Sequence, residues 1–164
     1  MTGPPLLWDF AGVDGLSVAR ALFGEAVARL SVWQSREADR DGIPCSLLRL
    51  CEGNFRLGLH GRDTGALASA LEQVARGRRV WVKSGHRAAL HVRDAVEAII
   101  PVATVKPPHR LAGLPMNRAV PARLEDRAVL LWRHTVGGVR LVEVHMAAPD
   151  LDGVRATLCR ADLL

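Results

Sequence analysis

Residues 76–93, RGRRVWVKSGHRAALHVR, hold six Arg or Lys side chains, two histidines and one tryptophan, with no acid among them. These are the parts of a single-strand nucleic-acid surface. An indole stacks a base for roughly 1–3 kcal/mol, and guanidinium groups take the phosphates. Successive side chains on a strand point to opposite faces. In RRVWVK, Val80 and Val82 therefore share one face, and Arg79, Trp81 and Lys83 share the other. In HRAALHVR, Ala88, Leu90 and Val92 oppose Arg87, Ala89, His91 and Arg93. With Ser84-Gly85-His86 as the turn of a hairpin, both apolar sets face the core together. The expected nucleic-acid surface is Arg76, Arg78, Arg79, Trp81, Lys83, Arg87, His91 and Arg93. The competing account is a solvated strand face in an arginine-rich chain, with Trp81 beneath the final helix and Arg79 paired to Glu72 or Asp94.

A second chemistry is open to carboxylates. Asp9 stands at the end of the first expected strand and Glu52 at the first expected hairpin, with Asp14 nearby. Palm-type domains hold a metal pair for phosphoryl transfer at those two places. The hairpin here reads CEGN, with one acid and no second aspartate, and Asp14 also suits a helix cap and Glu52 a turn. Asp9 and Glu52 are thus the catalytic candidates of an enzyme reading that ranks third. Six histidines (60, 86, 91, 109, 134 and 145) show neither H-E-x-x-H nor zinc-finger spacing. Cys45 and Cys51 are six apart, so structural thiols are expected and no metal or cofactor. G-x-S-x-G, P-loop and G-x-G-x-x-G motifs are absent from the sequence.

These residues need elements to position them, and the totals bound what those elements form. At 164 residues the chain is about one domain's worth, by the rough prior of ~100–200 residues per domain. Hydrophobic residues make up 49% and charged ones 24%, the makeup of a folded protein. The net charge is +5, from 20 Arg and 2 Lys against 17 acids, an arginine bias that a GC-rich genome also produces. No apolar run reaches the ~20 residues that span a bilayer. The start, MTGPPLLWDF, has no signal-peptide pattern. Three cysteines without paired spacing fit reduced thiols. The expectation is a cytoplasmic protein with no membrane partner.

Along the chain, PLLWDF (5–10) predicts a first strand. Leu16, Ala19, Phe23, Ala26, Val27, Leu30 and Trp33 recur at helical spacing after Asp14 or Ser17 as a cap. The polar run 34–42 ends that helix. CSLLRLCE and FRLGLH predict two strands joined near Gly53-Asn54, residues that tolerate positive φ. Asp63 or Thr64 caps a second helix through Ala75, with Gly77 as its stop, and RRVWVK follows as a strand. The order strand, helix, strand, strand, helix, strand is the split β-α-β pattern of ferredoxin-like domains. The fold class read from it is α+β: a ferredoxin-like split β-α-β sheet with a C-terminal β-hairpin–helix extension. The boundaries are a domain over 5–105, a Pro-rich loop over 106–127, and over 128–164 a hairpin and helix packed on the same domain. The hairpin is RAVLLWRH and VRLVEVHM around a Thr-Val-Gly-Gly turn, and Asp150 or Asp152 caps the last helix.

FRLGLH departs from the RNA-recognition motif in lacking its paired aromatics. HVRDAVEAIIPVATV and GVRATLCRADLL resemble the helix–strand and closing segments of CBS domains, which bind adenosyl ligands. About fifty residues separate them here, where that family has a short hairpin, so the likeness is set aside. RAVLLWRH is apolar on both faces, which predicts a strand covered on both sides or paired with another chain. The leading expectation is a non-enzymatic protein binding single-stranded nucleic acid weakly through the basic hairpin. The alternative is a homo-oligomeric adaptor without nucleic acid.

Overall fold

The computed structural model describes residues 6–61 and 64–164. Pro5 and the candidate cap Asp63 therefore lie outside the described residues. It is a mixed α/β protein with two antiparallel five-stranded sheets and few helices, in two compact units that divide after Gly85. Among the described residues no helix is long and apolar enough to cross a membrane.

The first unit runs β1 (Leu6–Gly12), α1 (Gly15–Phe23), a 3-10 turn (Glu25–Arg29), β2 (Ser35–Arg40), β3 (Ile43–Cys51), β4 (Asn54–Leu59), α2 (Gly65–Ala75) and β5 (Val80–Ser84). Its sheet has the order β2-β3-β4-β1-β5. Phe10 on β1 lies directly across from Phe55 on β4, their rings stacked at 5.4 Å and fully buried. Val18, Ala19 and Leu22 of α1 and Leu67 and Leu71 of α2 close over that pair. The apolar stripe expected to run unbroken to Trp33 is interrupted at Gly24, whose φ of +82° no helix accommodates. The 3-10 turn after it still buries Val27, so spacing predicted the buried points but not the break. A Cβ on Gly15 would sit 1.8 Å from the carbonyl oxygen of Gly53. The start of α1 therefore touches the β3–β4 turn backbone to backbone. Strand β2, SREADR, falls where sequence predicted only polar linker. It is the outer strand of its sheet, paired with β3 alone, so it shows none of the apolar alternation that marks a strand in sequence.

The second unit runs β6 (Arg87–Arg93), α3 (Val96–Ile99), β7 (Ala103–Thr104), β8 (Arg118–Leu124), β9 (Arg127–Val136), β10 (Val139–Ala147) and α4 (Leu151–Arg160). Its sheet has the order β6-β10-β9-β8-β7. The β9–β10 hairpin turns at Gly137-Gly138, both with positive φ, as the sequence predicts. Val142, Val144 and Met146 of β10, Leu131 of β9 and Val92 of β6 pack with Val154 and Leu158 of α4. Segment 106–127, expected as loop throughout, contains β8. Its Pro121 is tolerated because only the two-residue β7 lies beyond β8, so most of that strand has a free edge.

The largest departure concerns residues 76–93. Strand β5 pairs with β1, and β6 pairs with β10. The expected hairpin does not form, and its two strands belong to different units. The hairpin-and-helix extension is accordingly part of a complete second sheet that begins at β6. Asp14, Thr64 and Asp150 do occupy N-cap positions, but none makes a side-chain capping bond.

Candidate functional site

Strand β5 is an outer strand, and alternation along it matches the sequence reading. Val80 and Val82 pack against the first unit's core, and Trp81 stands 54% exposed. Arg76, Arg78, Arg79 and Lys83 are exposed beside it. Arg79, however, is not a free cation. Its backbone N–H and its Nε both donate to the Asp14 carboxylate, at 2.8 and 3.4 Å. The backbone bond first, and then the guanidinium, hold the Asp14 carboxyl below its ordinary value. That pairing takes the place of the expected partners Glu72 and Asp94. Asp94 instead receives Arg133 through Nε and NH2, at 2.6 and 3.1 Å.

Arg87 and Arg93 are exposed on β6, but His91 faces a buried group. On this face of the second sheet Ala89 is 5% exposed, so it is no open wall. The nucleic-acid surface expected across one hairpin is therefore divided, and its histidine is taken up elsewhere.

His91 belongs to a cluster around Glu143, a residue 0% exposed near the middle of the second sheet. Strand alternation brings it together. Glu143 and His145 are two apart on β10, Trp132 and His134 two apart on β9, and His91 is the cross-strand partner of Glu143. An ionised carboxylate only accepts, so each imidazole touching it donates. His145 Nε2 donates to Oε2 at 2.8 Å and His91 Nε2 to Oε1 at 3.1 Å, while His134 Nε2 lies 3.4 Å from Oε1. Trp132 stacks on His134 at 4.0 Å and meets His145 edge-on at 5.5 Å. Burial by itself would raise the Glu143 carboxyl. The contacts of His134, His145 and His91 outweigh burial and hold it well below the ordinary carboxylate range. Sequence reasoning considered His134 and His145 only as metal ligands and placed His91 on the nucleic-acid surface as well. The pattern V-E-V-H-M, which puts Glu143 and His145 on one strand face, was the available signal.

The palm-type candidates do not form a metal site. Both Asp9 oxygens accept from Arg56, Nε at 2.7 Å and NH2 at 2.8 Å, in a nearly buried fork. Glu52 is an exposed turn residue whose carbonyl accepts from Arg49 at 2.8 Å. Arg56 directly faces Asp9 across β1 and β4, so its charge consumes the acid that sequence assigned to catalysis. In the first unit, fully buried Ser46 donates to Glu37 and lies 2.9 Å from His60 Nε2. Ser46 has one O–H and gives it to Glu37, so His60 does not take the serine proton as the base does in the nucleophile–base–acid chain of acyl transfer.

Cys45 is buried, and burial, assisted by Glu37 and Asp39, pushes its thiol up to about 11. Cys51 and Cys159 are exposed. A thiol reagent at neutral pH is expected to modify Cys51 and Cys159 quickly in the native chain and Cys45 only after denaturation. Mass spectrometry checks this, and rapid labelling of Cys45 contradicts the packing.

With the geometry described, comparison with known proteins bears on the fold. No protein-family profile matches the chain. Over 143 residues it is 31% identical to the tetraacyldisaccharide 4'-kinase of Agrobacterium fabrum (strain C58 / ATCC 33970), a match covering 85% of this chain and 37% of that protein. The chain thus spans little more than a third of the curated relative it matches. Among solved structures it is similar to the glycine cleavage system aminomethyltransferase T from Bartonella henselae. There the TM-score is 0.73 at 17% identity, covering 94% of this chain and 43% of that one. It is also similar to a chain of the heterotetrameric sarcosine oxidase from Corynebacterium sp. U-96 in complex with pyrrole 2-carboxylate. That TM-score is 0.69 at 21% identity, covering 96% of this chain and 78% of that one. The fold is aminomethyltransferase-like. At these identities the likeness concerns architecture alone, and it extends over nearly all of the chain.

Proposed function

We propose that the chain is a non-catalytic assembly module, a subunit of a heteromeric enzyme that oxidises a small amine such as sarcosine. One observation carries this reading: the likeness to a chain of the heterotetrameric sarcosine oxidase covers 96% of this chain and 78% of that one. The inward commitment of the reactive groups supports it. Glu143 and Ser46 are fully buried, and Asp9 is closed by Arg56. The kinase similarity covers 37% of that protein, and the sequence carries no phosphate-binding loop, so phosphoryl transfer is not proposed. Within this reading the first unit is a ferredoxin-like split β-α-β sheet. Setting aside the outer strand β2, its order is β-α-β-β-α-β with β1 between β4 and β5, all antiparallel.

A second reading keeps single-stranded nucleic acid as ligand, on the exposure of Trp81 beside Arg76, Arg78 and Lys83. Trp81 and Lys83 on β5, with Arg76 and Arg78 in the turn that precedes it, retain the stacking chemistry, although Arg79 is committed to Asp14.

One purification separates the two. The tagged chain, recovered from its own organism at low salt, is expected to elute with other polypeptides in fixed ratio. The eluate is expected to consume oxygen on addition of sarcosine, and the chain made alone in a heterologous host is not. Elution as a lone, inactive chain overturns the assembly reading, as does sarcosine turnover by the isolated chain. A 260 nm-dominated spectrum that collapses in high salt, and that Trp81→Ala abolishes, supports the nucleic-acid reading in its place.

A further inference from the structure

At the outer edge of the second sheet, away from the Glu143 cluster, lies a cleft of about 250 Å³ lined by Thr104, Lys106, His109, Pro121, Ala122 and Arg123. Thr104 and Arg123 are cross-strand partners on β7 and β8, and Pro121 shares the Arg123 face of β8 two residues away. Beyond Thr104 the chain turns, the His109 N–H donating to the Lys106 carbonyl at 3.1 Å, and this turn brings the Lys106 and His109 side chains to the same opening. Two permanent cations and an imidazole thus line the cleft, and no carboxylate does. The acids nearest in sequence are committed to other groups. Glu125 pairs with Arg127 at 3.2 Å and with Arg160, and Asp126 pairs with Arg127 at 3.3 Å. The Arg123 guanidinium donates to the Asp126 backbone carbonyl, and that neutral acceptor leaves its charge unbalanced. Beside Arg123 the Pro121 ring supplies an apolar surface, while the Ala122 methyl between them turns into the core.

We propose that this cleft binds a small organic monoanion, its carboxylate held by Lys106 and Arg123 and its apolar body lying on the Pro121 ring. Size agrees with the chemistry: at about 30 Å³ of liquid per water the volume equals roughly eight waters, enough for a short or single-ring carboxylate. A planar guanidinium fork beside an ammonium matches a carboxylate's two oxygens. The half-apolar lining favours an organic acid over inorganic phosphate, whose oxygens call for donors on every side.

The test is an NMR titration of the full-length ¹⁵N-labelled chain with benzoate, benzamide and inorganic phosphate. Benzoate is expected to shift the Thr104, Lys106, His109 and Arg123 amides with a dissociation constant of about 1 mM or tighter, some −4 kcal/mol or better. Benzamide, the neutral isostere, leaves them unmoved. Lys106→Ala with Arg123→Ala, both exposed and outside the core, weakens benzoate at least tenfold while the rest of the spectrum stays native. No saturable shift up to about 10 mM benzoate, undiminished binding in the double variant, or phosphate binding as tight as benzoate each overturns the proposal. None of these outcomes depends on whether the chain assembles with an amine oxidase.

Discussion

Replacing Glu143 with alanine is expected to destabilise the second unit by about 3–5 kcal/mol, the cost of removing one partner from a buried ionic cluster. Glu143 is fully buried, and His145, His91 and His134 all approach its two oxygens. A carboxylate held ionised at such a place requires donors aimed at its oxygens, which His145 and His91 supply at 2.8 and 3.1 Å. Truncation leaves these buried imidazoles without their acceptor. In a unit of this size the loss lowers Tm by more than about 10 °C, read by thermal denaturation with the buried Trp132, stacked on His134, as fluorophore.

The same carboxylate sets an acid limit with a definite sign. Its folded-state pKa lies well below its unfolded value of about 4.3. Its stabilisation is therefore complete above that unfolded value and is lost as pH falls towards the folded pKa. Glu143→Gln keeps the shape and removes the charge. Its stability is expected to fall less steeply than that of the native chain on acidification below about pH 5. Parallel acid curves for the two proteins contradict an ionised Glu143.

Breaking the Asp9–Arg56 fork is expected to cost as much in the first unit. The two residues face each other across β1 and β4, with side chains 10% and 6% exposed and both carboxylate oxygens bonded. Arg56→Met alone strands a buried carboxylate and is expected to destabilise by about 3–5 kcal/mol. Adding Asp9→Leu removes the stranded charge, and the double variant is expected to regain most of the loss, because an apolar pair of similar volume needs no desolvation. Urea denaturation of both single variants and the double completes the cycle. A double variant as unstable as the summed singles shows that the pair does more than neutralise itself. The cycle also bears on the discarded enzyme reading, in which Asp9 would be free for metal rather than structural.

Sequence alone located the features that depend on neighbours two to four residues apart. Strand β3, helix α2 with its stop at Gly77, and the hairpin around Gly137-Gly138 were legible because apolar spacing and φ-permissive residues act locally. The β3–β4 turn was located by its flanking apolar runs, although neither Gly53 nor Asn54 takes the positive φ expected of them. The same periodicity put Val80 and Val82 inside and Trp81 outside. Tertiary structure decided which strand each edge would take. HRAALHVR has the alternation to pair with RRVWVK, but in the folded protein β6 lies on β10, where His91 meets Glu143 and Val92 enters the second core. Strands β2 and β8 escaped notice because strands at or near a sheet margin need little apolar alternation, so SREADR and the proline-bearing RAVPARL look like linker. The fate of the charges was equally non-local. Asp9 with Arg56, Asp14 with Arg79, and Glu143 with its histidines are separated by 47, 65 and up to 52 residues. Apart from Glu143 and His145, two apart on β10, no spacing rule links such positions, and the buried pairs become necessary only once folding has removed water from around them.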